Sequence, residues 1–154
     1  MSDEKVIEVE GCDAVLKHWP FLLGSLAELN ETIKDTPIST DSFLRVHLDI
    51  AVGKIYGKIF LLTSKNDKPL GFVSAFESTS VYGPGPVLWV YAIYSNDKKA
   101  GVPKILFSRL EEWAKDHGFV EIQTQSGRTS GASIRWCRAQ FGLRLSKLFF
   151  SKTL

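Results

Sequence analysis

The segment Lys98-Lys99-Ala100-Gly101-Val102-Pro103-Lys104 follows the most apolar stretch of the chain and opens a run with helical spacing, so it falls where a helix begins. A helix N-terminus offers unpaired backbone N–H groups and partial positive charge. Here Gly101 allows close approach, and Lys98, Lys99 and Lys104 add three ammonium groups. The chemistry this suits is the holding of a phosphate or diphosphate by the Ala100, Gly101 and Val102 backbone and the flanking lysines. The same residues also suit an ordinary polar loop between a strand and a helix. GxxxxGK[ST] and GxGxxG are both absent. A second glycine-rich helix entry, Ser126-Gly127-Arg128-Thr129-Ser130-Gly131, fits either an anion or substrate backbone, or a plain connection.

Other chemistries are poorly supported. His18, His47 and His117 fall in separate predicted helices without HxH or HExxH spacing, so no metal centre is expected, and surface or helix-end roles are. Cys12 and Cys137 are the only cysteines, which gives neither a disulfide framework nor a CxxC site and fits a reducing, cytoplasmic setting. The N-terminus alternates charge and leads into no apolar h-region, so no secretory signal is expected. The longest apolar run, Val87 to Tyr94, is well short of the roughly 18 to 20 residues that cross a bilayer, so membrane spanning is excluded.

Charge is unevenly placed. Residues 1–97 hold 8 Lys/Arg against 13 Asp/Glu, whereas residues 98–154 hold 11 against 4. After Glu121 no acid remains, while Arg128, Arg135, Arg138, Arg144, Lys147 and Lys152 follow. A half of this sign attracts the phosphates of a cofactor, a nucleic-acid backbone or an acidic partner, or is a solvated basic face.

The elements that must position these groups follow from periodicity. The chain has 154 residues, 44% hydrophobic and 23% charged, with no repeat or linker, and reads as one domain over 1–154. Val6 to Glu10 has strand composition. Val15, Leu16, Trp19, Leu22, Leu23 and Leu26 recur at helical spacing, with Pro20 expected to break or kink that helix. Thr40 or Asp41 is expected to cap a second helix that stops at Gly53. Ile55 to Thr63 and Leu70 to Ser78, joined by a polar turn, predict an antiparallel hairpin. Val87 to Tyr94 is apolar on both faces, as a central strand covered by helices requires. A helix from Val102 to Ala114, ended by His117 and Gly118, and a strand from Phe119 to Thr124 complete a parallel β-loop-α-β unit. A last helix capped by Thr129 or Ser130 runs to about Phe141, and Leu143 to Phe150 predicts a closing strand. Trp19, Trp89, Trp113 and Trp136 read mostly as packing. The order is β-α-α-β-β-β-α-β-α-β, an α/β fold with a mixed sheet flanked by about four helices.

With this order the chain resembles the GCN5-related N-acetyltransferase superfamily, most closely over residues 87–143. In that family a buried strand leads into a Q/R-x-x-G-x-G/A loop and helix that hold the pyrophosphate of acetyl-CoA. Lys98 stands for the Arg or Gln, Gly101 for the first glycine, and Pro103 replaces the second small residue and removes one backbone donor. The resemblance implies that acetyl-CoA, or another acyl-CoA, is held by Lys98, Lys99, Ala100, Gly101, Val102 and Lys104. It implies that backbone groups near Ile93 pair with the pantetheine arm, and that the thioester lies between Val90 to Tyr94 and Val120 to Thr124. The family's late helix ends in a segment that Phe141-Gly142-Leu143 resembles, and its Tyr commonly protonates the departing thiolate. Aligned on Gly142 that position holds Arg138, and with one inserted residue it holds Cys137. A cysteine suits a general acid and is equally a small core hydrophobe; Arg138 suits an anion or cofactor phosphate. Glu77 is the nearest carboxylate to serve as general base for the attacking amine, with Tyr82 and Tyr94 as polar alternatives.

The implied activity is acyl-CoA-dependent N-acylation, in which the amine of a small molecule, peptide or nucleotide attacks the thioester directly. The alternative, favoured by Pro103, the missing tyrosine and the absence of an obvious base, is a binding or assembly module of the same fold that engages nucleic acid through its basic C-terminal half. The aromatic segment Leu148-Phe149-Phe150 fits a homodimer contact or the core.

Overall fold

The computed structural model describes residues 4–32, 37–79, 83–96, 101–125, 131–145 and 152. Its elements in order are β1 (Lys5–Glu8), α1 (Cys12–Thr32), α2 (Thr40–Ala51), β2 (Gly57–Thr63), β3 (Pro69–Thr79), β4 (Pro86–Ser95), α3 (Val102–Asp116), β5 (Glu121–Thr124) and α4 (Gly131–Phe141). The five strands form one sheet in sequence order. β1, β2, β3 and β4 pair antiparallel, and β4 pairs β5 in parallel with α3 as the crossover.

Alternation along the strands sends apolar side chains to both faces, so the sheet needs helices on each. Phe60, Leu62, Val73 and Ala75 pack with Leu106, Leu110 and Trp113 of α3. Ile59, Leu61 and Phe72 pack with Val15 and Leu22 of α1 and Phe43 and Ile50 of α2. α1 and α2 therefore cover one face of the sheet, and α3 covers the other. α4 lies against α3 through Phe141, whose ring is 4.7 Å from that of Phe107.

Several expectations are corrected. Pro20 does not interrupt α1, which runs unbroken through it. Pro20 and Leu16, whose carbonyl Pro20 cannot bond, both lie on the exposed side, so the carbonyl is not left unpaired in the core. The cap of α2 is Ser39, whose hydroxyl accepts from the Ser42 N–H, and the helix stops before Gly53 at φ +76°. Leu143 to Leu145 are not in a strand, and the rest of the expected closing strand, with Leu148-Phe149-Phe150, lies outside the described residues, as do Thr129 and Ser130. Trp136 is 48% exposed, so it is not a core residue.

His47, expected at a surface or helix end, is instead fully buried between α2 and the sheet. Its Nδ1 lies 2.7 Å from the Phe43 carbonyl, which only accepts, so Nδ1 carries the proton. Nε2 then accepts from the Ser74 hydroxyl at 3.1 Å on β3. Burial holds the imidazole neutral and lowers its pKa to about 4.

The unfolded chain takes up a proton at His47 near the ordinary value of 6.5, and the folded chain not until about 4. Stability from this residue is therefore complete above about pH 6.5 and is lost as pH falls from there to about 4, amounting to about 3 kcal/mol. Urea titrations across this range should show the loss in the native chain and a flatter profile in His47→Phe. Equal slopes in the two would contradict the assignment.

Candidate active site

The site is organised by one irregularity in β4. The register of β3 and β4 pairs Ser74 with Ala92 but Ala75 with Val90, which leaves Tyr91 as an extra residue in a β-bulge. Before the bulge Leu88 and Val90 face α3; after it Ile93 does. Tyr91 and Ala92 both face α1 and α2. A single inserted residue has reversed which side chains meet which face.

Pairing with β5 stops at the same place. The parallel register runs from Val87 opposite Glu121 to Val90 opposite Thr124. Thr124 Oγ1 donates to the Val90 carbonyl at 3.2 Å and closes the ladder. Among the described residues, Ala92 to Tyr94 pair in the sheet only with β3, so β4 has an open edge over these positions. The Asn96 N–H donates to the Leu70 carbonyl at 2.9 Å. Alternation back along the strand points the backbone N–H and C=O of Tyr94 and Ala92 toward β3 and directs those of Ile93 into the opening.

The first turn of α3 is held beside this opening by Gly71. A Cβ there would come within 2.5 Å of the Tyr94 carbonyl oxygen and 2.8 Å of Val102 Cγ1, so only glycine lets α3 approach β3 and β4 so closely. Gly101 is the N-cap of α3 without a side-chain capping bond, and no acidic residue lies in the first turn. The first intrahelical bond runs from the Ile105 N–H to the Gly101 carbonyl at 3.0 Å. The N–H groups of Val102 and Lys104 thus precede the ladder, and Pro103 has none. A Cβ on Gly101 would meet nothing within 4 Å among the described residues. The two donors and the positive end of the helix are of a kind that can hold an anion.

The sequence-predicted residues separate at this site. Ile93, Gly101, Val102 and Lys104 come together around the opening, with Lys104 exposed. Lys98, Lys99, Ala100 and Tyr82 lie outside the described residues. Glu77 is exposed on β3 opposite Leu88, in the paired half of β4 and roughly 10 Å along the strand from Tyr91, so the structure does not bring this expected base to the opening. Cys137 is half-buried on α4, and burial pushes its thiol pKa up. Arg138 is exposed in the last turn of the same helix.

Tyr94, expected as a polar alternative for the base, has a partner that the sequence did not show. The Tyr94 hydroxyl donates to Glu28 Oε2 on α1 at 2.6 Å. Burial first, then the Glu28 carboxylate, pushes the Tyr94 pKa up to about 12. Only the spacing of seven between Phe21, which packs on Tyr94, and Glu28 hinted that they share a helix face.

No family model and no curated protein matches the sequence. Solved structures do match the fold. A Pyrococcus furiosus protein described as a putative acetyl transferase superposes with a TM-score of 0.72 at 16% identity, over 98% of this chain and 99% of that one. The aminoglycoside acetyltransferase meta-AAC0020 from an uncultured soil metagenomic sample, solved with sisomicin, gives 0.72 at 15% identity, over 99% and 97%. The acetyltransferase AAC(6')-Iy, solved with the bisubstrate analogue CoA-S-monomethyl-acetylneamine, gives 0.74 at 16% identity, over 99% of each chain. The chain shares the fold of these structures.

The close approach at Gly71 is testable without a ligand. Gly71→Val should force α3 away from β4 and cost about 1 to 3 kcal/mol by overpacking, read as a lower urea midpoint at unchanged slope. Unaltered stability would show that α3 is not seated as described.

Proposed function

We propose that the chain is an N-acyltransferase that draws its acyl group from acetyl-CoA or another acyl-CoA and transfers it to the amine of a small molecule, peptide or nucleotide. The observation that carries this reading is the opening of β4 away from β5 beside the uncapped start of α3. The likeness of fold to acetyltransferases solved with a CoA-containing analogue and with an aminoglycoside supports it.

When bound, acyl-CoA supplies an acyl group activated as a thioester. The Val102 and Lys104 N–H groups and the Lys104 ammonium hold the diphosphate, and the sequence adds Lys98 and Lys99 immediately before them. The Ile93 N–H and C=O continue the sheet toward the ligand arm, as a neighbouring strand would. The same N–H polarises the thioester carbonyl, a preorganised donor that strengthens as negative charge develops on oxygen. Cys137, kept protonated by burial, is a candidate proton donor to the departing sulfur, and Arg138 is a candidate phosphate contact. Glu77 has no part in this arrangement, because the paired half of β4 stands between it and the opening.

A second reading rests on α4. It buries no side chain and exposes Arg135, Trp136 and Arg138, a basic and aromatic surface suited to nucleic acid. Single-stranded DNA binding that weakens as salt rises, with no heat from acetyl-CoA, would favour this module over the enzyme.

Calorimetry with acetyl-CoA tests the leading reading, and Gly101→Asp sharpens it. Gly101 has an ordinary φ of −93° and open space around its Cβ position, so stability should stay within about 0.5 kcal/mol. The new carboxylate faces the diphosphate, so affinity should fall at least about tenfold. Absence of acetyl-CoA binding at millimolar ligand in the native chain would refute the proposal.

A further inference from the structure

We propose that Tyr94, backed by Glu28, is the proton relay on the acceptor side of the opening: the amine N–H passes its proton to Tyr94 Oη while the Tyr94 hydroxyl proton moves to the Glu28 carboxylate. This rests on the acyltransferase reading above, takes up Tyr94 from the polar alternatives the sequence offered, and adds Glu28 as the acceptor behind it.

The placement follows from the two faces of β4. Ile93 directs its side chain toward α3, whose first turn is the diphosphate seat. Tyr94, the next residue, therefore projects to the opposite face, where its ring packs edge-on against Phe21 of α1 at 5.9 Å. An acyl group delivered from the α3 side leaves the α1 side as the approach for the second reactant. Tyr94 and Glu28 stand on that approach, joined at 2.6 Å.

Each group suits its part. Phe21 and Phe72 fix the phenol ring, at 5.9 and 6.2 Å between centroids, so its hydroxyl stays aimed at Glu28. Burial and the carboxylate keep that hydroxyl protonated, so Tyr94 passes protons through rather than serving as a phenolate. Glu28 is exposed and, among the described residues, has no ion pair; α1 has no basic residue in its last turn to neutralise it. The amine N–H becomes acidic enough for a carboxylate once nitrogen bonds to the acyl carbon. The C–N bond forms and the C–S bond breaks; the proton leaving nitrogen rests on Glu28, the departing thiolate takes one from Cys137, and exchange with solvent returns the Glu28 proton and reprotonates Cys137, so the overall count is unchanged. Glu28 acts through Tyr94 and is a positioning residue.

The test uses the full chain with 1,4-diaminobutane as probe amine. Acetyl-CoA affinity by calorimetry should be the same in the native chain, Tyr94→Phe, Glu28→Gln and Glu28→Asp. In the chain loaded with CoA, the probe should shift the ring signal of Tyr94 in a 13C-tyrosine NMR spectrum, and Glu28→Gln should abolish that shift. Acetyl transfer to the probe should lose about 100-fold in kcat in Tyr94→Phe and in Glu28→Gln with little change in KM, and Glu28→Asp should restore part of it. Acetyl-CoA binding with an unmoved Tyr94 signal, no transfer, or kcat unchanged in the variants would overturn the relay alone. A native chain that does not bind acetyl-CoA would overturn the reading beneath it as well.

Discussion

The arrangement depends on a strand that is paired along one half and open along the other. Backbone N–H and C=O groups deprived of a partner away from water cost about 1 to 3 kcal/mol each, so an open edge inside a sheet has to be enforced. Two local features enforce it. The extra residue Tyr91 bends β4 and reverses its alternation, and Thr124 Oγ1 takes the last carbonyl that β5 would otherwise use to continue. Beyond that point Ile93 directs its polar groups outward, where no described strand stands opposite them.

What holds the bulge is an aromatic and polar cluster on the α1 and α2 face. The Tyr91 ring lies 5.8 Å from His47 and 6.1 Å from both Phe43 and Phe76. Ser74, the β3 residue at the register shift, gives its hydroxyl to His47, and His47 gives its Nδ1 proton to Phe43. The sheet is thus tied to α2 at the place where its ladder is irregular, by groups that rigid packing keeps in one arrangement. From the other face Gly71 lets Val102 and Leu106 press against β3 and β4, which fixes the start of α3 relative to the open edge.

Much of this was legible in the sequence because it is periodic. The β2–β3 hairpin, the doubly apolar β4 and the helix that starts after Gly101 were read from spacing and turn residues, and the structure has each of them. What was missed is what periodicity cannot carry. A bulge adds one residue without changing composition, so Tyr91 looked like any other strand position. The burial of His47 depends on a hydroxyl 27 residues away, and the Tyr94–Glu28 bond spans 66. Pro20 was read as a breaker because the exposed face of α1, where its lost bond matters little, is set by packing against the sheet. Glu77 was chosen as a base by nearness in sequence to β4, whereas the strand's length places it along the paired half.

The uneven charge gains a spatial meaning from the topology. α1 and α2 precede β4 and cover one face; α3 and α4 follow it and lie on the other. The acid-rich segment 1–97 therefore supplies the helices on the Tyr94 side, and the cation-rich segment 98–154 supplies those on the Gly101 side. Because β4 is where the chain passes from one segment to the other, its open edge lies between two faces of opposite bias. On the proposed acyltransferase reading, an anionic donor and a cationic amine would be drawn to this edge from opposite directions.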